Sequence, residues 1–175
     1  MDKIIQVDFL DREIKAVTKD DAHNYGILHR AFSVVLYNKN KILIQQRAHE
    51  KYHCGGLWTN TCCSHPRWNE NLTDAVKRRL KEEMSIKDVQ LEELLSFTYY
   101  YKFDNGLAEF EYDHVFIGHY CGDYQINKEE ASDAKWVDIQ ELMEWMKNKP
   151  HEFTPWFIIF LPEIVKFINE KNKNT

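Results

Sequence analysis

Two long β-rich runs joined by a tight turn constrain the fold of this chain more than any other feature. The runs LLSFTYYYKF and AEFEYDHVFIGHY flank the sequence DNG at residues 104–106, which is a strong β-hairpin signal. A second hairpin is predicted where the buried run at residues 31–37 meets residues 42–47 across the turn NKNK. Shorter extended segments are predicted in VDF near the N-terminus, at residues 14–18 and in LWTNTCC. These patterns indicate a sheet of several strands.

The segment NENLTDAVKRRLKEEM is the clearest helix. Apolar residues recur every four positions from Leu72 to Met84, which places them along one stripe of a helix. Asn71 or Thr73 can cap the first turn. One face of this helix is therefore expected to pack against the sheet.

The C-terminal part adds a strand and two helices. A short strand is predicted at residues 134–139, and it leads into a helix in ELMEWMKNK. The last helix is predicted to begin at Thr154, with Pro155 in its first turn, and only the final NEKNKNT is expected to fray. The whole pattern predicts a single α/β (α+β) domain, residues 1–175, in which a mixed sheet is flanked by helices on both sides.

Length and charge narrow the functional classes. A chain of 175 residues suits one domain with its own core. The net charge of −5, without a basic block, argues against a nucleic-acid partner. The longest apolar run near the C-terminus, residues 156–161, is far shorter than the roughly 20 residues that cross a bilayer, so no membrane association is expected. Charged residues near the N-terminus leave no apolar stretch for a signal peptide, which predicts a cytoplasmic protein with reduced cysteines.

The segment WTNTCCSHP, residues 58–66, concentrates reactive side chains. Alternate residues of a strand share a face, which places Cys63 with His65 and Cys62 on the opposite side. A closed zinc site on Cys54, Cys62, Cys63 and His65 is an alternative. It lacks the C-x₂-C spacing of such sites, and the pleat points the two adjacent thiols apart. The spacing therefore does not favour a structural zinc site.

The strand AEFEYDHVF carries carboxylates at alternate positions. Glu109, Glu111 and Asp113 share one face, where neighbouring negative charges repel each other unless a cation lies between them. If that face is exposed at the edge of the hairpin, the carboxylates need no cation. Taken alone, the segment leaves these two interpretations equally open.

Histidines add further metal donors. His23 and His29 precede the buried strand, and His65 follows the thiol. Three neutral imidazoles together with Glu109 and Glu111 would suit zinc, manganese or a similar divalent ion with five or six ligands. A lone histidine is more often a hydrogen-bonded surface residue, but five coincident donors favour the metal.

The predicted helix in NENLTDAVKRRLKEEM carries a second charge pattern. Arg79 and Glu83 are four residues apart at the edge of the apolar stripe, where an ordinary surface ion pair is one interpretation. The other is that Glu83 holds magnesium against a phosphorylated ligand. Arg47 and Lys51 would then supply phosphate contacts.

These motifs together resemble a known family. HRAFSVVLY, ILIQQRA, WTNTCCSHP, the helix with RRLKEE, the EFEYDH strand and FTPWF occur in that order between about His23 and Phe157. The combination resembles the type I isopentenyl-diphosphate isomerases, a branch of the Nudix fold. The resemblance implies a Nudix-like sheet and the interconversion of isopentenyl and dimethylallyl diphosphate, a step of isoprenoid biosynthesis, through a tertiary carbocation.

The resemblance also implies roles for individual residues. Four fall on catalytic positions: Cys63, Glu111, Tyr101 and Trp156. Five fall on the ligands of one divalent metal, manganese or zinc: His23, His29, His65, Glu109 and Glu111. Glu83 falls on the acid that binds magnesium with the substrate diphosphate. Four fall on diphosphate-binding positions: Arg47, Lys51, Arg79 and Lys19. A small prenyl diphosphate is thus the expected partner, and the oligomeric state, monomer or dimer, is left open.

The chain departs from the family pattern in places that bear on these roles. The interval between His23 and His29 is one residue shorter. The hairpin loop is also shorter, so Tyr99 or Tyr100 can take the role implied for Tyr101.

The resemblance divides the domain into three parts. Residues 1–28 carry N-terminal strands and a metal-ligand segment, residues 29–157 form the catalytic core, and residues 158–175 form the C-terminal helix and frayed tail. The alternative function is a Nudix hydrolase acting on a diphosphate substrate. That activity would need the full carboxylate box on the helix, where Ser64 stands in place of the glycine and Arg79 in place of the first glutamate.

Overall fold

The computed structural model describes residues 3–51 and 53–173, and the elements below belong to those residues. In chain order they are β1 (Lys3–Val7), β2 (Glu13–Thr18), α1 (Lys19–Tyr25), β3 (His29–Asn38), β4 (Lys41–Arg47), β5 (Trp58–Thr59), β6 (Cys62–Ser64), α2 (Leu72–Met84), β7 (Glu92–Lys102), β8 (Ala108–His119), β9 (Ala131–Asp138), α3 (Ile139–Asn148) and α4 (Pro155–Lys173). Among the described residues, no helix combines the length and the apolar character needed to cross a membrane.

Strand β3 lies at the centre of a mixed sheet. It pairs in parallel with β8 along its length, from His29↔Glu111 to Tyr37↔His119. On its other edge β3 pairs with β1, β6 and β4 in succession, and all three are antiparallel to it. Strand β7 extends the sheet beyond β8, and β9 extends it beyond β4. Strands β1, β6 and β8 consequently lie beside the first residues of β3, and helix α1 ends just before β3 begins.

Alternate side chains of β3 enter two separate cores. Val35 packs with the cluster that includes Phe157 of α4, whereas Val34 and Leu36 pack with the cluster that includes Leu80 of α2. The sheet is thus covered by helices on both faces. The predicted α+β architecture is confirmed.

Helix α2 begins and ends as its sequence predicts. The side chain of Asn71 caps the first turn by accepting a hydrogen bond from the backbone N–H of Thr73 at 2.9 Å. The helix ends at Ser85, which adopts a left-handed conformation with φ of 57° and donates its N–H to the carbonyl of Lys81 at 3.1 Å. These caps define the helix that carries Arg79 and Glu83.

The N-terminal prediction is partly wrong. The first strand ends at Val7 rather than covering VDF, because the Asp8 carboxylate turns the chain by accepting from the backbone N–H groups of Leu10 and Arg12.

Helix α1 was not predicted, because its part of the sequence indicated only strands and a metal-ligand segment. Thr18 caps its start, accepting from the N–H of Asp21 at 3.1 Å, and Gly26 ends it with φ of 60°. Only Ala22 and His23 are buried along it, which is too few to produce an apolar period.

The C-terminal helix begins at Pro155, one residue after the predicted start, and it extends into the segment expected to fray. Helix α4 continues to Lys173, and Asn172 donates from Nδ2 to the side chain of Asn40 at 2.7 Å. Contacts with the β3–β4 turn hold this polar end, which a local pattern does not reveal. Residues 174–175 of the segment expected to fray lie outside the described residues.

Candidate active site

Strand pairing brings three histidines and two glutamates together. The register of β3 and β8 places His29 opposite Glu111, and β6, on the other edge of β3, leads into His65. Helix α1 contributes His23, and β8 also contributes Glu109. One ligand atom from each residue lies within 4.8 Å of all the others, which defines the His/Glu cluster.

His29 presents its Nε2 atom to the His/Glu cluster. Its Nδ1 lies 2.7 Å from the carbonyl oxygen of Ile27, which can only accept, so Nδ1 carries the proton. Nε2 lies 3.2 Å from Nε2 of His65, and that atom lies 2.9 Å from Oε1 of Glu111. Donor atoms of His29, His65 and Glu111, which lie in separate parts of the chain, therefore converge on one point.

His23 reaches the same point despite its shortened distance in sequence from His29. Its side chain is 1% exposed, and its Nε2 lies 3.2 Å from Oε2 of Glu109. The two imidazole centres are 5.2 Å apart. The segment before His29 forms helix α1 rather than an extended strand. His23 therefore reaches the cluster although its interval to His29 is one residue shorter than in the family pattern.

Burial and the neighbouring groups together determine the pKa values in the His/Glu cluster. Burial, reinforced by the adjacent Glu111, raises the pKa of Glu109 to about 7. Burial also acts on Glu111, but the neighbouring imidazoles of His29 and His65 outweigh it and lower that pKa well below its ordinary value. Burial lowers the pKa of His65 to about 3, so this imidazole is neutral. Neutral imidazoles and buried carboxylates are the donors of a divalent metal, and the His/Glu cluster fits one.

The carboxylates of β8 do not face solvent, so the interpretation that they are exposed at the edge of the hairpin is wrong. Glu109 is 1% exposed and Asp113 is also 1% exposed. Asp113 lies outside the His/Glu cluster and accepts a hydrogen bond from Ser33 Oγ at 2.8 Å. The alternation along β8 thus points all three carboxylates inward, but only two of them reach the cluster.

The adjacent cysteines face opposite ways, as alternation predicts. Cys62 is fully buried in the core that contains Leu80 of α2. Cys63 lines a cavity together with Glu111. Arg47 donates from Nη1 to the Cys63 sulfur at 3.6 Å. Burial raises the pKa of the Cys63 thiol to about 12, so its proton stays on sulfur at neutral pH.

Trp156 forms an apolar wall of the same cavity. It lies in the first turn of α4 and is 4% exposed. Its indole Nε1 donates to Thr59 Oγ1 at 3.1 Å, which fixes the ring plane. The guanidinium carbon of Arg47 lies 5.6 Å from the ring centre, so this aromatic face already borders a cation.

Four basic residues line the cavity, and they are called the cationic wall below. They are Lys19, Arg47, Lys51 and Arg79. Arg79 donates to Glu83 Oε1 at 2.6 Å, and Gln45 donates to the other oxygen of Glu83 at 2.9 Å. Lys51 lies 2.5 Å from Glu130. The cavity therefore joins a cationic wall to the acidic His/Glu cluster.

The expectation for Tyr101 requires correction. Tyr99 is 6% exposed and donates from its hydroxyl to Oε2 of Glu111 at 2.7 Å. Tyr101 is 44% exposed, packs on Phe103 and is not among the residues that line the cavity. The short hairpin loop determines the register, which pairs Tyr99 with Glu111.

Two titratable residues of the cavity, Glu130 and His53, were not predicted. Glu130 lies between Lys51 and Arg79, 2.5 and 3.0 Å from their nitrogens. His53 lines the cavity and contacts Glu109. Both lie in irregular segments outside the strands and helices, where no periodicity indicates the direction of a side chain.

Comparison with known proteins identifies the class of this fold and site. The family model of the NUDIX domain matches residues 27–157. The crystal structure of DR0079 from Deinococcus radiodurans superposes with a TM-score of 0.71 at 13% identity, covering 96% of this chain and 98% of that one. The MutT NUDIX hydrolase from Burkholderia pseudomallei superposes with a TM-score of 0.64 at 19% identity, covering 78% and 98%. The chain belongs to the NUDIX family.

Sequence relatives place the chain more narrowly. It is 47% identical over 159 residues to the isopentenyl-diphosphate Delta-isomerase 2 of Photorhabdus laumondii, covering 90% of this chain and 89% of that protein. It is 44% identical over 165 residues to the isopentenyl-diphosphate Delta-isomerase 2 of Aromatoleum aromaticum, covering 94% and 87%. Within the NUDIX family it groups with the isopentenyl-diphosphate Delta-isomerases, as the resemblance predicted.

Proposed function

We propose that this protein is an enzyme that interconverts isopentenyl and dimethylallyl diphosphate. The observation that carries the proposal is a half-buried thiol and a buried carboxylate, Cys63 and Glu111, lining one cavity with Trp156. The names of the relatives at 41–47% identity support the same reaction. The chemistry follows from what such a pair can do.

The reaction requires one proton gained and one proton lost. A proton adds to the terminal methylene carbon of isopentenyl diphosphate. Another proton leaves the carbon adjacent to the oxygen-bearing carbon. The double bond therefore moves by one position, and the diphosphate stays intact. Two acid–base groups must therefore reach the same hydrocarbon. Cys63 and Glu111 are assigned to these two transfers, and their roles exchange in the reverse direction.

The intermediate is a tertiary carbocation. A tryptophan face stabilises a cation electrostatically, by about 2 kcal/mol where water is excluded. Trp156 supplies that face, and its position beside the guanidinium of Arg47 supports the assignment. Burial of Glu111 and Trp156 also keeps water from adding to the cation.

The His/Glu cluster is assigned to a divalent ion, manganese or zinc. His23, His29, His65, Glu109 and Glu111 would hold it. When bound, such an ion balances the charge of the two carboxylates and keeps Glu111 ionised in a buried site.

The substrate diphosphate is assigned to the cationic wall. Lys19, Arg47, Lys51 and Arg79 line it, and the guanidinium groups can bind phosphate bidentately. Glu83, at 3% exposure, would hold magnesium beside the diphosphate. We therefore assign a small prenyl diphosphate as the partner and no nucleic acid.

Proton NMR of isopentenyl diphosphate with the protein and magnesium tests the function. The vinyl signals should disappear while the dimethylallyl methyl signals grow, with phosphorus signals of an intact diphosphate. Release of inorganic phosphate or diphosphate with the vinyl group retained would support the hydrolase alternative and contradict the isomerase.

Removing one donor of the His/Glu cluster should lower metal content and activity together. We expect Glu109→Gln and His65→Ala each to bind divalent metal at least 10-fold more weakly, because each removes a charged or lone-pair ligand. Elemental analysis after purification without chelator measures the occupancy. His119→Gln, at an exposed position, is the control. Full occupancy in both ligand variants would rule out the proposed metal site.

The two tyrosines of β7 should differ in their effect. Tyr99→Phe should lower kcat by about 10- to 100-fold, because it removes the hydrogen bond to Glu111. Tyr101→Phe, the matched control, should stay within about twofold, since its side chain is outside the cavity. The NMR assay compares the two, and a larger loss for Tyr101 would restore the original expectation from the sequence.

A further inference from the structure

A histidine outside the His/Glu cluster lies directly against one of its carboxylates. His53 is in the irregular segment between β4 and β5, is 7% exposed and lines the same cavity as Cys63. Its Nε2 contacts Oε1 of Glu109. Its ring centre is 5.0 Å from that of His23 and 5.7 Å from that of Phe103, so rings on two sides hold the imidazole in place.

His53 contacts the His/Glu cluster but is not one of its five donors. Glu109 uses its two oxygens differently, because Oε2 lies 3.2 Å from Nε2 of His23 while Oε1 meets His53. His53 and His23 therefore contact different oxygens of the Glu109 carboxylate.

The second carboxylate of the cluster shows the same arrangement. Glu111 directs Oε1 to His65 at 2.9 Å, while its Oε2 accepts a hydrogen bond from the hydroxyl of Tyr99 at 2.7 Å. Each carboxylate thus has one oxygen facing the imidazoles and one held by a separate donor. A metal-binding carboxylate generally needs such an outer partner, because the partner restricts rotation of the group.

We infer that His53 is a positioning residue for the metal site. Its Nε2–H donates to Oε1 of Glu109 and holds the carboxylate so that Oε2 faces the ion, as Tyr99 holds Glu111. This inference rests on the metal site in the proposed function. It assigns His53 no contact with the substrate and no proton transfer.

Metal affinity, measured by competition with a chromophoric chelator, tests the role without an activity assay. Zn²⁺ and Mn²⁺ are each titrated into metal-free wild type and three variants. We expect His53→Phe, which keeps a ring but lacks the donor, to bind 10- to 100-fold more weakly. His53→Gln retains an N–H donor and should remain within about threefold of wild type. His119→Gln, at an exposed position, should be unchanged.

A double-mutant cycle separates positioning from general damage to the fold. In a Glu109→Ala background, His53→Phe should cause no further loss of metal affinity, because the group that it positions is absent. Thermal unfolding of the metal-free proteins checks their folding, and His53→Leu replaces His53→Phe if the latter does not fold.

Each contrary result overturns a defined part of the inference. Wild-type affinity in His53→Phe would remove the positioning role and leave the metal site intact. An equal loss in His53→Gln would show that an N–H donor at this position does not by itself hold Glu109, and the hydrogen bond would be withdrawn as the cause. An undiminished loss in the Glu109→Ala background would make the effect structural. If wild type bound neither ion, the metal site and this inference would both fail.

Discussion

Cys63→Ala should lower kcat/KM for isomerisation by about 10³-fold or more, while the protein remains folded. The thiol is one of the two proposed acid–base groups, and a positioned group of this kind contributes about 10²- to 10⁴-fold. Alanine leaves no group that can carry the proton. The NMR assay measures the loss, and thermal unfolding checks the fold.

Cys62→Ala is the matched control, since it changes the same side chain one position earlier. Cys62 is fully buried on the opposite face of β6, in the core beside α2. This variant should lose about 1 kcal/mol of stability but keep its activity within a few-fold. If Cys62→Ala were the inactive variant, Cys63 would have to be withdrawn as the acid–base group.

Trp156→Leu should lose about 30-fold in activity relative to wild type, and Trp156→Phe should lose clearly less. Loss of the aromatic face removes about 2 kcal/mol of cation stabilisation, whereas phenylalanine keeps a weaker face. A tertiary-amine analogue of the substrate, protonated at neutral pH, should bind wild type much more tightly than the substrate does. Trp156→Leu should lose most of that preference, yet still bind substrate through the cationic wall. Calorimetry with both ligands measures the difference.

Trp145→Leu is the control for this second prediction. Trp145 also carries a cation on its face, since Lys135 lies 4.6 Å from its ring centre, but it is not among the residues that line the cavity. Its loss should affect stability and leave the preference for the amine unchanged. Equal losses of amine and substrate affinity in Trp156→Leu would show that Trp156 only shapes the pocket.

The sequence alone determined which faces of two strands carry the site residues and where helix α2 begins. Alternation along one strand separated Cys62 from Cys63, and along another it turned Glu109 and Glu111 to the same side. These features depend on residues that are close in the chain. The capping of α2 by Asn71 is equally local. For that reason a periodic pattern was sufficient to predict them, and the family resemblance then gave them expected roles.

Only the tertiary structure decided which residues meet. His23 and Glu109 are 86 positions apart, and they come together because α1 packs beside β8. No apolar periodicity in the sequence predicted helix α1. The length of the hairpin loop set the register that pairs Tyr99, rather than Tyr101, with Glu111. His53 and Glu130 lie in irregular segments, whose side-chain directions depend on packing instead of backbone periodicity. Local patterns specify the face of an element, whereas strand register and loop packing specify its neighbours.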